Sequence, residues 1–175
     1  MQKLSTTQLG RVDATTFKEQ TKIPIVLVLD NIRSALNVGS AFRTADSFAL
    51  EAIYLCGITA TPPHREILKT ALGATETVTW AHFETIGEAL ADLKEKKYYI
   101  AAIEQTDKSV FLSDIQIETT QKYALIFGNE VEGVSDEALQ GSDTCIEIPQ
   151  WGTKHSLNVS VCIGIVSWEF AKNLV

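Results

Sequence analysis

The chain has 175 residues, 45% of them apolar, with a formal net charge of −7 and three cysteines. That size and apolar content imply one domain with a sizeable core, and the net acidity argues against a surface that coats nucleic acid indiscriminately, while leaving room for a local basic patch. Cys56, Cys145 and Cys162 are far apart, sit among apolar residues and lack metal-ligand spacing. They read as core thiols of a protein in a reducing, cytoplasmic compartment, and no metal site is expected.

Residues 1–22 are polar and carry no apolar run of the secretory type. They predict an arm or a short helix ahead of a single domain over residues 23–175. From there the chain alternates. Strands are predicted at 24–30 (PIVLVLD), 51–57, 75–81, 97–104, 122–128 and 144–149, and helices at 38–48, 64–72, 85–96, 135–140 and 156–172. Most of the strand runs are continuously apolar, as central strands are. The pattern predicts an α/β fold: a mostly parallel sheet with helices on both faces. The last helix is apolar on nearly every side, from Leu157 and Val159 through Ile165 and Val166 to Trp168 and Phe170. A surface helix shows one apolar stripe, so this one needs either a second partner, such as another subunit, or complete burial within its own chain. No apolar segment is long enough for a membrane span.

Three loops at strand ends concentrate polar groups. The first, DNIRSALNVGSAFRTADSF (30–48), carries Asn31, Arg33, Asn37 and Arg43 but one glycine where a dinucleotide fingerprint wants three. Asn37 is placed to cap a helix beginning at Val38. Gly39 and Arg43 share a helix face, which would leave room beside Arg43 for a ligand. The alternative is a surface pair of Arg43 with Asp46. The second loop, FGNEVEGVSDE (127–137), has Gly128 and Gly133 flanking Asn129 and Glu130, without the lysine and hydroxyl residue of a phosphate-binding loop. Ser135 reads as the cap of the following helix. The third, IPQWGTKHSLN (148–158), enters the last helix, with Ser156 as its expected cap.

Taken together, NVGSAFRTA, IFGNEVEGVS and IPQWGTKHSLNVSVCIGI resemble the three ordered motifs of the SpoU (TrmH) family of RNA ribose 2′-O-methyltransferases, in the SPOUT superfamily. The resemblance runs from Ile25 through nearly all of the remaining chain. It implies a single SPOUT domain with a C-terminal deep trefoil knot, which general rules of chain connection would have excluded. It also implies S-adenosylmethionine as cofactor, a tRNA or rRNA substrate, and a homodimer through the knot region and the C-terminal helix with the active site near the interface. By motif position it assigns catalytic roles to Asn37, Arg43, Glu130 and Asn158. It assigns cofactor contacts to Gly128, Ile148, Ser156, Leu157 and Asn158. Arg11, Arg33, Arg43 and Arg65, with Lys69, are the cations expected to meet RNA. The segment PQWGTKHS departs from the family, in which a methionine often follows the proline, and the extra N-terminal RNA-binding domain of some members is not seen.

The chemistry asks for these groups. A ribose 2′-hydroxyl is a weak nucleophile and must lose a proton as it attacks the methyl carbon. A guanidinium is permanently protonated, so Arg43 is expected to hold an RNA phosphate and stabilise the developing alkoxide. Asn37, Glu130 and Asn158 are expected to orient it and the ribose. The rival reading is an RNA-binding or assembly protein that keeps the SPOUT scaffold without catalysis.

Overall fold

The structure, a computed structural model, describes residues 1–175, with every side chain except those of Thr6 and Thr7. A 3-10 turn, Thr6–Leu9, and a short helix α1, Ala14–Glu19, precede strand β1, Ile23–Asp30. The chain continues through α2 (Ala35–Ser47), β2 (Leu50–Cys56), α3 (Arg65–Ala71), β3 (Thr79–Phe83) and α4 (Ile86–Glu95). It ends through β4 (Tyr99–Ile103), β5 (Val110–Phe111), β6 (Tyr123–Phe127), α5 (Asp136–Gly141), β7 (Thr144–Glu147) and α6 (Val159–Leu174).

The seven strands form one sheet in the order β3-β2-β1-β6-β4-β7-β5, and every neighbouring pair is parallel. Strand residues alternate between two cores because successive side chains point to opposite faces. Ile25, Leu27 and Leu29 meet α2, α3 and α6 through Phe42, Ile67, Ile163 and Phe170. Val26 and Val28 meet α4 and α5 through Leu90, Leu93 and Ala138. The later strands insert between earlier ones: β6 between β1 and β4, β7 between β4 and β5. This brings the loops after β1, β6 and β7 to one end of the sheet, where open α/β sheets bind ligands.

Several boundaries differ from the sequence reading, each for a local reason. Helix α2 starts three residues earlier than expected, capped by Ser34, whose hydroxyl accepts the Asn37 N–H at 3.4 Å. Asn37 therefore lies in the first turn with its side chain free for another partner. The third strand begins at Thr79 and not at 75, because Ala74–Glu76 forms a 3-10 turn. There the Thr77 hydroxyl bonds back to the Ala74 carbonyl and across to Asp46. The two-residue edge strand β5 is too short for any periodic signal. Helix α6 is capped by Asn158 and not by Ser156. The Asn158 side-chain oxygen accepts both the N–H and the hydroxyl of Ser160, at 2.9 and 2.6 Å.

Gly39 does not leave space for a ligand. A Cβ there would stand 2.1 Å from the Thr70 hydroxyl and 2.3 Å from the Ile67 carbonyl. The missing side chain is filled by α3 packing onto α2. Helix α6 is two-sided, as its composition implied. Ile163, Val166 and Phe170 are buried against the sheet, while Val161, Ile165 and Trp168 form a stripe 48%, 39% and 56% exposed. Among the described residues no helix is long and apolar enough to cross a membrane.

Candidate functional site

The first and second loops are tied together through Glu130. Its Oε2 accepts the Arg33 N–H at 2.9 Å, and its Oε1 accepts the Ser34 N–H at 3.0 Å and the Asn37 side-chain N–H at 2.9 Å. The carboxylate thus serves donors at the start of α2, where the helix dipole also favours negative charge. Partial burial pushes its pKa up, but the hydrogen bonds from Arg33, Asn37 and Ser34 outweigh that and hold it below the ordinary carboxyl value. With three donors engaged, Glu130 is a charged structural acceptor.

The loop that carries Glu130 is itself closed. Asn129 and Gly133 exchange both backbone hydrogen bonds at 2.9 Å, and Gly133 adopts a left-handed φ of 74°. The Asn129 side chain donates to the Asn31 carbonyl at 2.8 Å and accepts the Val131 N–H at 2.9 Å. Gly128 lies flush against this turn, and a Cβ on it would come within 2.1 Å of the Gly133 carbonyl carbon and the Val134 nitrogen. Only glycine at 128 lets the loop fold back on the end of β6. The buried carboxylate of Asp30 anchors the far side, accepting the Ser135 N–H at 3.0 Å. Ser135 caps α5 as expected.

Between these loops lies a cavity of about 730 Å³ whose walls include Gly128, Glu130, Ile148, Ser156, Leu157 and Asn158. Every residue marked for cofactor contact in the sequence therefore meets in one place. That volume is in the range of small-molecule and cofactor sites. Cys162 also lines it, and burial pushes its thiol pKa up. Two residues that matter here were not marked in the sequence. Asp30 fixes α5, and Glu104, at the end of β4, accepts the Val134 N–H at 2.9 Å within the cavity wall. The signal for both was an acidic residue closing an apolar strand run.

Arg43 lies elsewhere. It lines a second depression, of about 430 Å³, with Ser40, Thr44, Lys69, Thr70 and Gly164 between α2, α3 and α6. The alternative pairing with Asp46 is not made: Asp46 accepts the Thr77 hydroxyl at 2.5 Å. Among the described residues Arg43 has no carboxylate partner. One chain therefore brings Asn37, Glu130, Ser156 and Asn158 to the same region but sets Arg43 in a separate hollow that runs up to α6. Arg33 contributes its backbone N–H to Glu130 and leaves its side chain exposed. Arg65 opens α3 and Arg11 sits between the N-terminal turn and α1, both exposed, and neither lines the cavity.

Comparison with known proteins matches residues 24–168 to the model of the SpoU rRNA Methylase family. A 23S rRNA (guanosine-2′-O-)-methyltransferase RlmB from Neisseria meningitidis is 29% identical over 152 residues, covering 87% of this chain and 60% of that protein. An uncharacterised tRNA/rRNA methyltransferase from Borreliella burgdorferi is 31% identical over 159 residues, covering 91% and 68%. The chain thus spans roughly three fifths to two thirds of the length of these relatives. In fold, it is similar to an AdoMet-bound rRNA methyltransferase from Sinorhizobium meliloti, with a TM-score of 0.81 at 24% identity over 90% of this chain and 59% of that one. It is also similar to the SpoU methyltransferase AviRb from Streptomyces viridochromogenes, at 0.80 and 18% over 91% and 63%.

Proposed function

The chain belongs to the SpoU rRNA Methylase family, and from that premise we propose that it transfers a methyl group from S-adenosylmethionine to a ribose 2′-hydroxyl of rRNA or tRNA. The observation that carries the reading is the cavity that gathers Gly128, Ile148, Ser156, Leu157 and Asn158 from two motif loops, with Glu130 bridging to the third. We take residues 23–175 as the methyltransferase domain, with residues 1–22 an arm upon it. The reducing cytoplasm is the compartment that suits its free thiols, and a trefoil knot formed by its C-terminal segment is expected from the family.

The cavity suits such a cofactor in size, and the close approach of backbone at Gly128 gives it a wall of peptide groups. When bound, the cofactor supplies an electrophilic methyl carbon on a sulfonium. The backbone at Gly128, Ile148 and Leu157 would hold the adenine and ribose, with Ser156 and Asn158 on the same wall. Glu130 acts as a positioning residue: it fixes the second loop to α2 and sets Asn37. Arg43, with no carboxylate to neutralise it, binds the RNA phosphate beside the target ribose and stabilises the alkoxide as it forms. Since a guanidinium holds its proton, that phosphate or a water takes the proton from the 2′-hydroxyl.

The separation of Arg43 from the cavity is accounted for by a homodimer. The exposed stripe of Val161, Ile165 and Trp168 lies on the helix that also borders the Arg43 hollow at Gly164 and the cavity at Val159 and Cys162. A second copy seated on α6 covers this apolar surface and carries its own Arg43 toward the first chain's cavity. With a net charge of −7 on the chain, RNA contacts are local, at Arg33, at Arg43 and Lys69 in the second hollow, at Arg65 on α3 and at Arg11 on the arm.

The test is transfer of labelled methyl from S-adenosylmethionine into rRNA and tRNA, followed by nucleoside analysis for 2′-O-methylation. Incorporation at a ribose hydroxyl is expected. Methylation confined to bases, or none with either RNA, overturns the reading.

A further inference from the structure

Glu104 follows β4, the strand that lies between β6 and β7. The loops after both neighbours wall the cavity, so Glu104 stands between them, half-buried and facing the same space. Its carboxylate is fixed in orientation by one backbone donor on each oxygen. Oε2 accepts the Val134 N–H at 2.9 Å and Oε1 accepts the Gln105 N–H at 2.8 Å. The fit is close: a Cβ at Gly133 would come within 2.2 Å of Oε2.

A carboxylate oxygen has two acceptor sites. Each oxygen of Glu104 therefore keeps one after its backbone bond, and among the described residues no lysine or arginine pairs with it. Two other carboxylates on the cavity wall are committed differently. Glu130 serves three donors at α2, and Glu147 accepts the Ser109 hydroxyl at 2.8 Å. A rigid pair of oxygens, each with one site open, matches two adjacent O–H donors. An acidic side chain past the end of a parallel strand accepts ribose hydroxyls in other α/β nucleotide sites for the same reason.

We propose that Glu104 is the residue that reads the vicinal 2′- and 3′-hydroxyls of the cofactor's own ribose, an inference that rests on the cavity being the cofactor site. The two backbone bonds hold the carboxylate in place before the ligand arrives, so no side-chain freedom is lost on binding. The same charge excludes nucleosides that carry a phosphate on either hydroxyl. Specificity here is for an unmodified ribose diol.

The experiment is calorimetric binding of S-adenosylhomocysteine and of its 2′,3′-dideoxyribose analogue to the full chain, with and without RNA. It compares wild type, Glu104→Gln and Glu104→Ala, each checked by its melting temperature. Wild type is expected to prefer the diol ligand by about ten- to a hundredfold, the scale of hydrogen bonds to a charged group. Glu104→Ala should bind the two ligands about equally, with Glu104→Gln between. If Glu104 only braces the loop, both variants weaken both ligands in proportion and keep the wild-type preference, which overturns the proposal. A wild type indifferent to the diol overturns it without any variant, so an unfolded Glu104→Ala does not remove the test. Wild type that binds neither ligand, even with RNA, overturns the methyltransferase reading and this proposal together; the other adverse outcomes leave that reading standing.

Discussion

The side-chain amide of Asn37 donates to the carboxylate of Glu130 at 2.9 Å, across 93 residues of sequence. This bond, with those from Arg33 and Ser34, joins the loop after β6 to the first turn of α2 and makes two distant motifs one rigid unit.

Glu130→Gln should therefore loosen the start of α2. The cost expected for an exposed, multiply bonded acceptor is about 1 kcal/mol, the scale of a helix cap. The pH dependence has a definite sign. The folded pKa of Glu130 lies below its ordinary 4.5, so its contribution is complete above that value and is lost as pH falls through the lower, folded pKa. Urea unfolding of both proteins from pH 7 to pH 3 should show the wild-type advantage shrinking only below about 4.5. A constant difference across that range would mean the charge on Glu130 contributes nothing.

Gly128→Ala tests the wall of the cavity. The added methyl meets the backbone of Gly133 and Val134, which cannot yield as a flexible side chain would. A loss of about 1–3 kcal/mol in stability is expected from such overpacking, together with loss of S-adenosylhomocysteine binding. For the wild type, that ligand should raise the melting temperature through linkage. Calorimetry and thermal melts on the pair decide it; full binding by Gly128→Ala would remove this wall from the site.

Two neighbours on α6 should behave oppositely. Ile165 is 39% exposed on the outer stripe, whereas Val166 is fully buried in the chain's own core. Ile165→Asp is expected to give a folded monomer, because a lone charge in an apolar interface is costly. Val166→Asp is expected to unfold the chain. Light scattering and circular dichroism separate the two outcomes. A monodisperse wild-type monomer at micromolar concentration would end the dimer reading.

Arg43→Ala should leave stability within about 1 kcal/mol of wild type, since among the described residues the side chain makes no ion pair. Cofactor affinity should also hold. Single-turnover methyl transfer should fall nearly to background, and Arg43→Lys should recover little of it, because lysine lacks the planar fork. Wild-type transfer by Arg43→Ala would remove Arg43 from the chemistry.

The parallel sheet, the helices on both faces and the meeting of the cofactor-marked residues were legible because they follow from long apolar runs and ordered motifs. What the sequence hid was local competition and long-range partnership. Ser34 and Asn37 are both good caps, and which one caps depends on Glu130, far along the chain, taking the Asn37 side chain. Gly39 read as room for a ligand, whereas a neighbouring helix, at Thr70, takes that space. Arg43 shares a motif with Asn37 and yet faces another hollow, since the two point to different sides of α2. Glu104 carried only the weak signal of a carboxylate at a strand end.

The insertion of β6 between β1 and β4 constrains how the molecule can be made. In the finished sheet β4 pairs only with β6 and β7. A chain growing from the ribosome has β1, β2 and β3 ready to associate early. Strand β4, although already synthesised, has no strand to join until Phe127 has followed it. Long-range parallel pairings of this kind are slow to form and leave unpaired edges exposed while they wait. The half-made protein is therefore a two-part object, a small β1–β3 sheet and an unpaired strand, and it is at this stage that a chaperone would find the most to hold.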